Sequence, residues 1–125
     1  MLDEGTPLFV QIADQIADDI LDGALVEGAR VPSTNELATF HRINPATAGR
    51  GINVLVDSGV VEKKRGLGMF VAEGARDRLR SQRRARFAEQ YVVPMLAEAR
   101  RLDLDPATLV TLIQEFGLRD EGMTA

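Results

Sequence analysis

The sequence predicts a mainly α-helical fold with one small β-hairpin, extended by a helical tail. Three observations carry this. Before residue 60, apolar residues recur at helical spacing behind helix-start signals. Around residue 66, two short apolar-rich runs flank a glycine-containing turn, the pattern of a hairpin. After residue 74 the helical spacing returns.

The first element is "PLFVQIADQIADDILDG". Phe9, Ile12, Ile16 and Ile20, with Leu8, Ala13 and Ala17 beside them, form the stripe of an amphipathic helix. Thr6 is expected to cap it, Pro7 to take its first position and Gly23 to stop it. "ALVEGARVPS" reads as a turn with a short extended piece near Arg30 and Val31. "STNELATFH" is a second, short helix. Ser33 stands at its N-cap and Glu36 three residues on, which makes a capping box. Leu37, Ala38 and Phe40 are expected to supply buried contacts, and the helix to break at His41-Arg42.

The next stretch, "INPATAGRG", has the letters of a loop but fits a helix start. Asn44 is a good N-cap, and Pro45 suits the first helical position, where its missing N–H has no intrahelical partner anyway. Ile43 can staple to Ala48. Ala48, Ile52, Leu55 and Val56 hold the helical period until Gly59. The opposite face presents Ala46, Thr47, Arg50, Asn53 and Asp57. Gly49 and Gly51 each cost about 1 kcal/mol relative to alanine inside a helix. We read them as room for close approach, Gly51 toward the core and Gly49 toward the second helix or a ligand.

"VVEKK" and "MFVAE" are the two strands, joined by "RGLG". Gly74 marks a boundary, so residues 1–74 form one domain and 75–125 a helical region. "ARDRLRSQRRARFAEQYVVPMLAEARRL" reads as a long helix that Pro94 should kink or break. "DLDPATLVTLIQEFGL" is the last helix, capped by Asp105 with Pro106 first. The polar tail from Arg119 is expected to fray.

Composition narrows the function. The chain has 125 residues, 45% of them hydrophobic, enough to bury a core. It has no apolar run of membrane-spanning length, and "MLDEGTP" is unlike a signal peptide. There are no cysteines, so disulfide and thiolate chemistry are excluded. A cytoplasmic location is expected. No nucleophile–base pair, metal-ligand cluster or phosphate loop appears, so neither an enzyme nor a cofactor is expected. The net charge of −4 hides an asymmetry. Residues 62–86 hold nine cations against three anions, a local +6, which leaves −10 for the remainder. A polyanion responds to such a patch more than to the total, because charges beyond about 10 Å are screened.

Helix, helix, short turn, helix, basic hairpin is the order of a winged helix-turn-helix. In that arrangement the third helix can enter a major groove of double-stranded DNA with its N-terminal residues at base edges. The hairpin can place cations on adjacent phosphates or reach a minor groove. The candidate contacts are Ser33, Thr34, Asn44, Pro45, Ala46, Thr47, Arg50, Lys63, Lys64, Arg65, Gly66 and Gly68. Arg50 can pair bidentately with guanine or contact phosphate. Ser33, Thr34 and Asn44 can contact DNA or merely cap helices, and Gly66 and Gly68 can simply serve the turn. Lone His41 reads as a surface or packing residue. The arginines from Arg76 to Arg86 read either as contacts to flanking DNA or as an exposed face.

The tail carries an apolar stripe that two helices cannot hide: Phe87, Tyr91, Val92, Met95, Leu96, Leu109, Leu112, Ile113 and Phe116. Packing against a second copy of the chain is the economical answer. A ligand pocket is the rival, but some 50 residues leave little room for the roughly 300 Å³ of a typical pocket. An effector, if one exists, is expected to be small or to bind between subunits or domains. The rival function from another class is a winged-helix module that binds protein instead of DNA.

"PLFVQIADQIADDILDGAL", "GARVPSTNELA" and "INPATAGRGINVLVDSGVVEKKRGLGMFV" resemble the DNA-binding domain of the GntR family of bacterial transcription regulators. "INPAT", the following Arg50 and the short tail resemble its YtrA-type branch. The resemblance implies a homodimer on a near-palindromic operator and regulation that is mostly repression. In this branch it often implies control of ABC transporter operons. Asn35 departs from the family pattern "PSxREL", where arginine stands. A neutral amide provides neither the charge nor the guanidinium fork.

Overall fold

The computed structural model describes residues 5–124; residues 1–4, the acidic start of the chain, and residue 125 lie outside the described residues. The elements are α1 (Leu8–Leu21), α2 (Thr34–His41), α3 (Pro45–Asp57), β1 (Val61–Lys64), β2 (Gly68–Val71), α4 (Ala75–Phe87), α5 (Val93–Arg101) and α6 (Pro106–Thr124). The chain forms two compact units, residues 1–83 and 84–125, which divide within α4.

The first unit is built around α1. Its Ile12, Ala13, Ile16, Ala17 and Ile20 are buried, one continuous stripe of the helix. Against them lie Val31, Leu37 and Ala38 of the α2 region, Ala48, Ile52 and Leu55 of α3, and Val60, Val61, Val71 and Ala72 of the hairpin. Ala75 and Leu79 of α4 belong to the same core, which is why this unit continues past Gly74. A fully buried aliphatic side chain of this kind contributes about 1.5–3 kcal/mol.

Local chemistry sets the helix ends. The expected Thr6 cap does not form. Pro7 is the N-cap instead, extended at φ −55° and ψ 144°, and no side-chain cap hydrogen bond closes α1. The Pro7 carbonyl accepts from the N–H groups of Val10 and Gln11, and the Gln11 amide donates to the Thr6 carbonyl at 2.8 Å. The fixed φ of proline suits either side of a helix start, so spacing alone does not place it. In α2 the capping box forms in full. The Glu36 N–H donates to Ser33 Oγ at 3.1 Å, and the Ser33 N–H donates to Glu36 Oε1 at 3.2 Å. The helix stops where Arg42 turns left-handed at φ 57°. Asn44 caps α3 by accepting from the Ala46 N–H at 2.8 Å, with Pro45 at the first position.

Phe40 corrects the sequence reading. It is 82% exposed, while Leu37 and Ala38 are buried. At roughly 100° per residue it lies well off the Leu37–Ala38 face, and α2 ends one residue later. Its ring lines an open groove of about 580 Å³ with Ile16, Leu25, Pro32 and Leu37.

The hairpin pairs antiparallel, with Val61 opposite Val71 and Lys64 opposite Gly68. Arg30 forms a single bridge to Phe70, the extended piece foreseen before α2. The Val31 N–H donates to the Met69 carbonyl and the Val71 N–H to the Ala29 carbonyl, both at 2.8 Å.

In the second unit, Pro94 neither breaks the long helix nor stops it. A π-helical turn, Ala88–Val92, joins α4 to α5 just ahead of the proline. A wider turn absorbs the missing N–H donor, one of the known ways a helix accommodates proline. Asp105 caps α6 by accepting from the Thr108 N–H at 2.8 Å. The tail expected to fray from Arg119 is helical through Thr124.

Candidate nucleic-acid interface

The helices α2 and α3 meet at Gly49. A Cβ there would lie 3.7 Å from Thr34 Cγ2, ordinary contact with space to spare. Gly51 is different: its Cβ would lie 2.9 Å from the Phe9 carbonyl oxygen and 3.3 Å from Ile12 Cγ2. No real side chain fits that distance without moving α1. The two glycines thus face different neighbours, Gly51 the core and Gly49 the start of α2. Ser33 and Thr34 are half-buried at that start, and Ser33 is engaged as a cap.

On the outer side of α3, Asn44, Pro45, Ala46 and Arg50 are exposed and Thr47 is half-buried. The Arg50 guanidinium lies 4.1 Å from the centroid of the Phe9 ring. Among the described residues it makes no hydrogen bond or ion pair, so its N–H groups are open to a ligand. Asn44 has its side-chain oxygen occupied by the cap, while its amide N–H groups stay exposed.

In the wing, Lys63, Lys64, Arg65 and Gly66 are exposed and Gly68 is half-buried. Lys64 Nζ lies 4.9 Å over the Phe70 ring. Gly68 adopts φ 121°, a conformation that favours glycine, and a Cβ there would meet Arg30 Nε at 3.3 Å. Arg30 is a residue that the sequence reading left out. The bridge to Phe70 brings its exposed side chain beside the wing, and only the three-dimensional pairing reveals this. The Ser33 backbone N–H, followed by its hydroxyl, holds the Glu36 carboxyl below its ordinary value; the charge of Arg30 adds to this.

The arginines of α4 divide into two kinds. Arg76 Nε donates to the Leu21 carbonyl at 3.1 Å. Arg78 donates to the carbonyls of Gly59 at 2.9 Å and Glu73 at 3.0 Å. Arg83 pairs with Asp18 at 2.8 Å and donates to the Asp14 carbonyl at 3.3 Å. These three brace the helix against its own unit. Arg80 lies 3.6 Å from Asp77, with both side chains solvated, a pair worth little. Arg84 and Arg86 are exposed.

In the second unit, Phe87, Tyr91, Met95, Ile113 and Phe116 are exposed, Val92, Leu96 and Leu112 half-buried, and Leu109 buried. The rings of Phe87 and Tyr91 touch, with centroids 5.6 Å apart. His41 packs edge-on against Phe40, centroids 4.9 Å apart. Among the described residues, no three His, Cys, Asp or Glu side chains gather to hold a metal ion, and no helix is long and apolar enough to cross a membrane.

Comparison with known proteins agrees with this geometry. The family model for bacterial regulatory proteins of the gntR family matches residues 8–71. The chain is 35% identical over 91 residues to the uncharacterized HTH-type transcriptional regulator YhcF of Bacillus subtilis, which covers 71% of this chain and 75% of that protein. It is 35% identical over 74 residues to the HTH-type transcriptional repressor YtrA of Bacillus subtilis, covering 59% of this chain and 57% of that protein. The solved structure of a GntR-family protein from Bacteroides thetaiotaomicron is similar at a TM-score of 0.75 and 34% identity, over 90% of this chain and 98% of that one. These relatives are transcription regulators and not enzymes. With a matched winged helix-turn-helix spanning half its length, the chain belongs to the gntR family of bacterial regulatory proteins.

Proposed function

We propose that this regulator is a repressor that binds a near-palindromic DNA operator as a homodimer. The observation that carries the reading is Arg50: an exposed guanidinium on α3, held on a ring, with its donors unoccupied. A planar fork of that kind suits the O6 and N7 acceptors of guanine. Lys63, Lys64 and Arg65 supply cations for adjacent phosphates, and Ser33, Thr34, Asn44 and Thr47, at the starts of α2 and α3, supply polar groups. Arg30 joins this set. It offers a guanidinium near the start of α2, where Asn35 cannot.

The homodimer rests on exposed apolar side chains in the second unit, above all Ile113 and Phe116, each 55% exposed. Control of an ABC transporter operon belongs to the same reading and rests on the resemblance to the YtrA-type branch. The relative named a repressor supports the direction of regulation. One observation favours a second reading, a protein-binding module: the exposed Phe40 beside its groove.

The test is binding to the DNA upstream of the chain's own coding sequence, across a salt series. Specific binding should weaken steeply, with a log–log slope of about −0.9 per phosphate contact. A flat or absent response favours the protein-binding module. Arg50→Ala should cost roughly 1–3 kcal/mol and relax preference at one base position. A uniform loss over all sequences would make Arg50 a phosphate contact instead.

A further inference from the structure

Phe9 is the second residue of α1, outside the α2–α3 pair proposed to read DNA. Its ring is half-exposed and takes no place in the buried core. Yet its position is fixed. The Phe9 carbonyl lies against Gly51, close enough that any Cβ on that residue would collide with it. The start of α1 is therefore seated on α3 one residue from Arg50. The ring then lies under the guanidinium, 4.1 Å from the carbon at its centre.

The chemistry of this contact differs from that of the arginines that brace α4, and a like contact places Arg119 over Phe116 at 4.7 Å. Arg76, Arg78 and Arg83 are held by giving their N–H groups to carbonyls or to a carboxylate. A guanidinium tied that way has fewer donors left for a ligand. A ring face attracts the cation through its quadrupole and takes up no N–H group. It restricts the rotamers of a long side chain while leaving the donor fork free. Binding then costs less ordering, the general benefit of preorganisation. The wing repeats the device, with Lys64 over Phe70 at 4.9 Å.

We propose that Phe9 is a positioning residue for DNA recognition: its ring holds the Arg50 guanidinium in a plane from which the free N–H fork meets a base edge. The proposal rests on the reading of Arg50 as a DNA contact. It makes the first turn of α1 part of the recognition apparatus, and it predicts that a side chain at Gly51, which would press on the Phe9 carbonyl, harms binding as well as packing.

The test is a double-mutant cycle on the full chain. The probes are a duplex of the DNA upstream of its own coding sequence and a scrambled duplex of equal length. Phe9→Leu should weaken binding to the first duplex about 2- to 5-fold, the scale of an exposed cation–ring contact, and narrow its preference over the scrambled one. Phe9→Tyr, which keeps the ring, should restore both. In an Arg50→Ala background, Phe9→Leu should change nothing further. A loss that persists there makes Phe9 a structural residue or a contact in its own right and overturns the proposal. If Arg50→Ala weakens binding while Phe9→Leu leaves it unchanged, the role of Phe9 alone fails. If Arg50→Ala itself has no effect, the DNA reading of Arg50 fails, and the role of Phe9 with it. Should Phe9→Leu not fold, the free wild-type protein still decides. Ring current should move the Arg50 Nε–H resonance upfield of those of Arg84 and Arg86, which are exposed and lie over no ring among the described residues, and an unshifted resonance overturns the stacked geometry.

Discussion

The two units treat their apolar residues in opposite ways. In the first, α1, α2, α3 and the hairpin bury one shared cluster, from Ile12 to Leu79. In the second, Ala99 and Leu109 are the buried apolar residues among those described, while Tyr91, Val93, Leu102, Val110, Ile113, Phe116 and Leu118 are all more than half exposed. The difference teaches where each unit finds its stability. The first buries its main cluster within one chain and leaves Val26, Phe40 and Leu67 exposed outside it. The second presents a surface of the kind that marks an interaction site, and a second copy of the chain is the partner proposed for it.

The largest expected effect tests the second unit. Ile113→Asp with Phe116→Asp should abolish the dimer in sedimentation velocity and leave the melting of the first unit in place. A dimer that survives both changes puts the interface elsewhere. Next comes the first unit. Ile52 is 1% exposed, and Ile52→Ala should lower stability by about 2–5 kcal/mol in denaturant unfolding. A loss under 1 kcal/mol would show that this core is looser than its burial implies.

The two glycines of α3 give a finer contrast. Gly51→Ala forces a methyl to 2.9 Å from a backbone oxygen, and overpacking of this kind costs about 1–3 kcal/mol. Gly49→Ala has space beside Thr34. It should raise stability by up to about 1 kcal/mol, the ordinary gain of alanine over glycine in a helix. Equal effects at both positions would contradict the packing. The smallest effects belong to the caps. Asn44→Ala should cost about 1 kcal/mol. Hydrogen bonds from Ser33 and from Thr108 hold the carboxyls of Glu36 and Asp105 below their ordinary values. A carboxyl depressed in the folded state contributes stability that is present above its unfolded pKa and lost as pH falls through the folded one. Replacing Glu36 by Gln should flatten that acid-side slope below about pH 4.

Much of the first unit was legible before any coordinates. Helix signals are local: Ser33 and Glu36 are three residues apart, and Asn44 is two residues from the N–H that it accepts. The periodicity of α1 marks its core face because one helix turn repeats every 3.6 residues. The candidate site was legible in part. Arg50 stood out as a cation on the open face of α3, and the wing lysines as cations at a hairpin tip. Phe40 was misplaced, because burial depends on what another element covers and α2 is too short to reveal its facing. Thr6 was misplaced because proline fits both sides of a helix start.

The arginines show the remaining division. Sequence alone determined their number, their cluster past the wing and the local positive charge. Tertiary structure alone decided that Arg76, Arg78 and Arg83 brace α4, that Arg30 stands beside Gly68, and that Arg50 rests on Phe9 with its donors open. The physical reason is range. Caps, turns and periodicity are settled within about one helix turn of the chain. A guanidinium at the end of a long side chain takes its role from carbonyls and rings that lie up to 69 residues away.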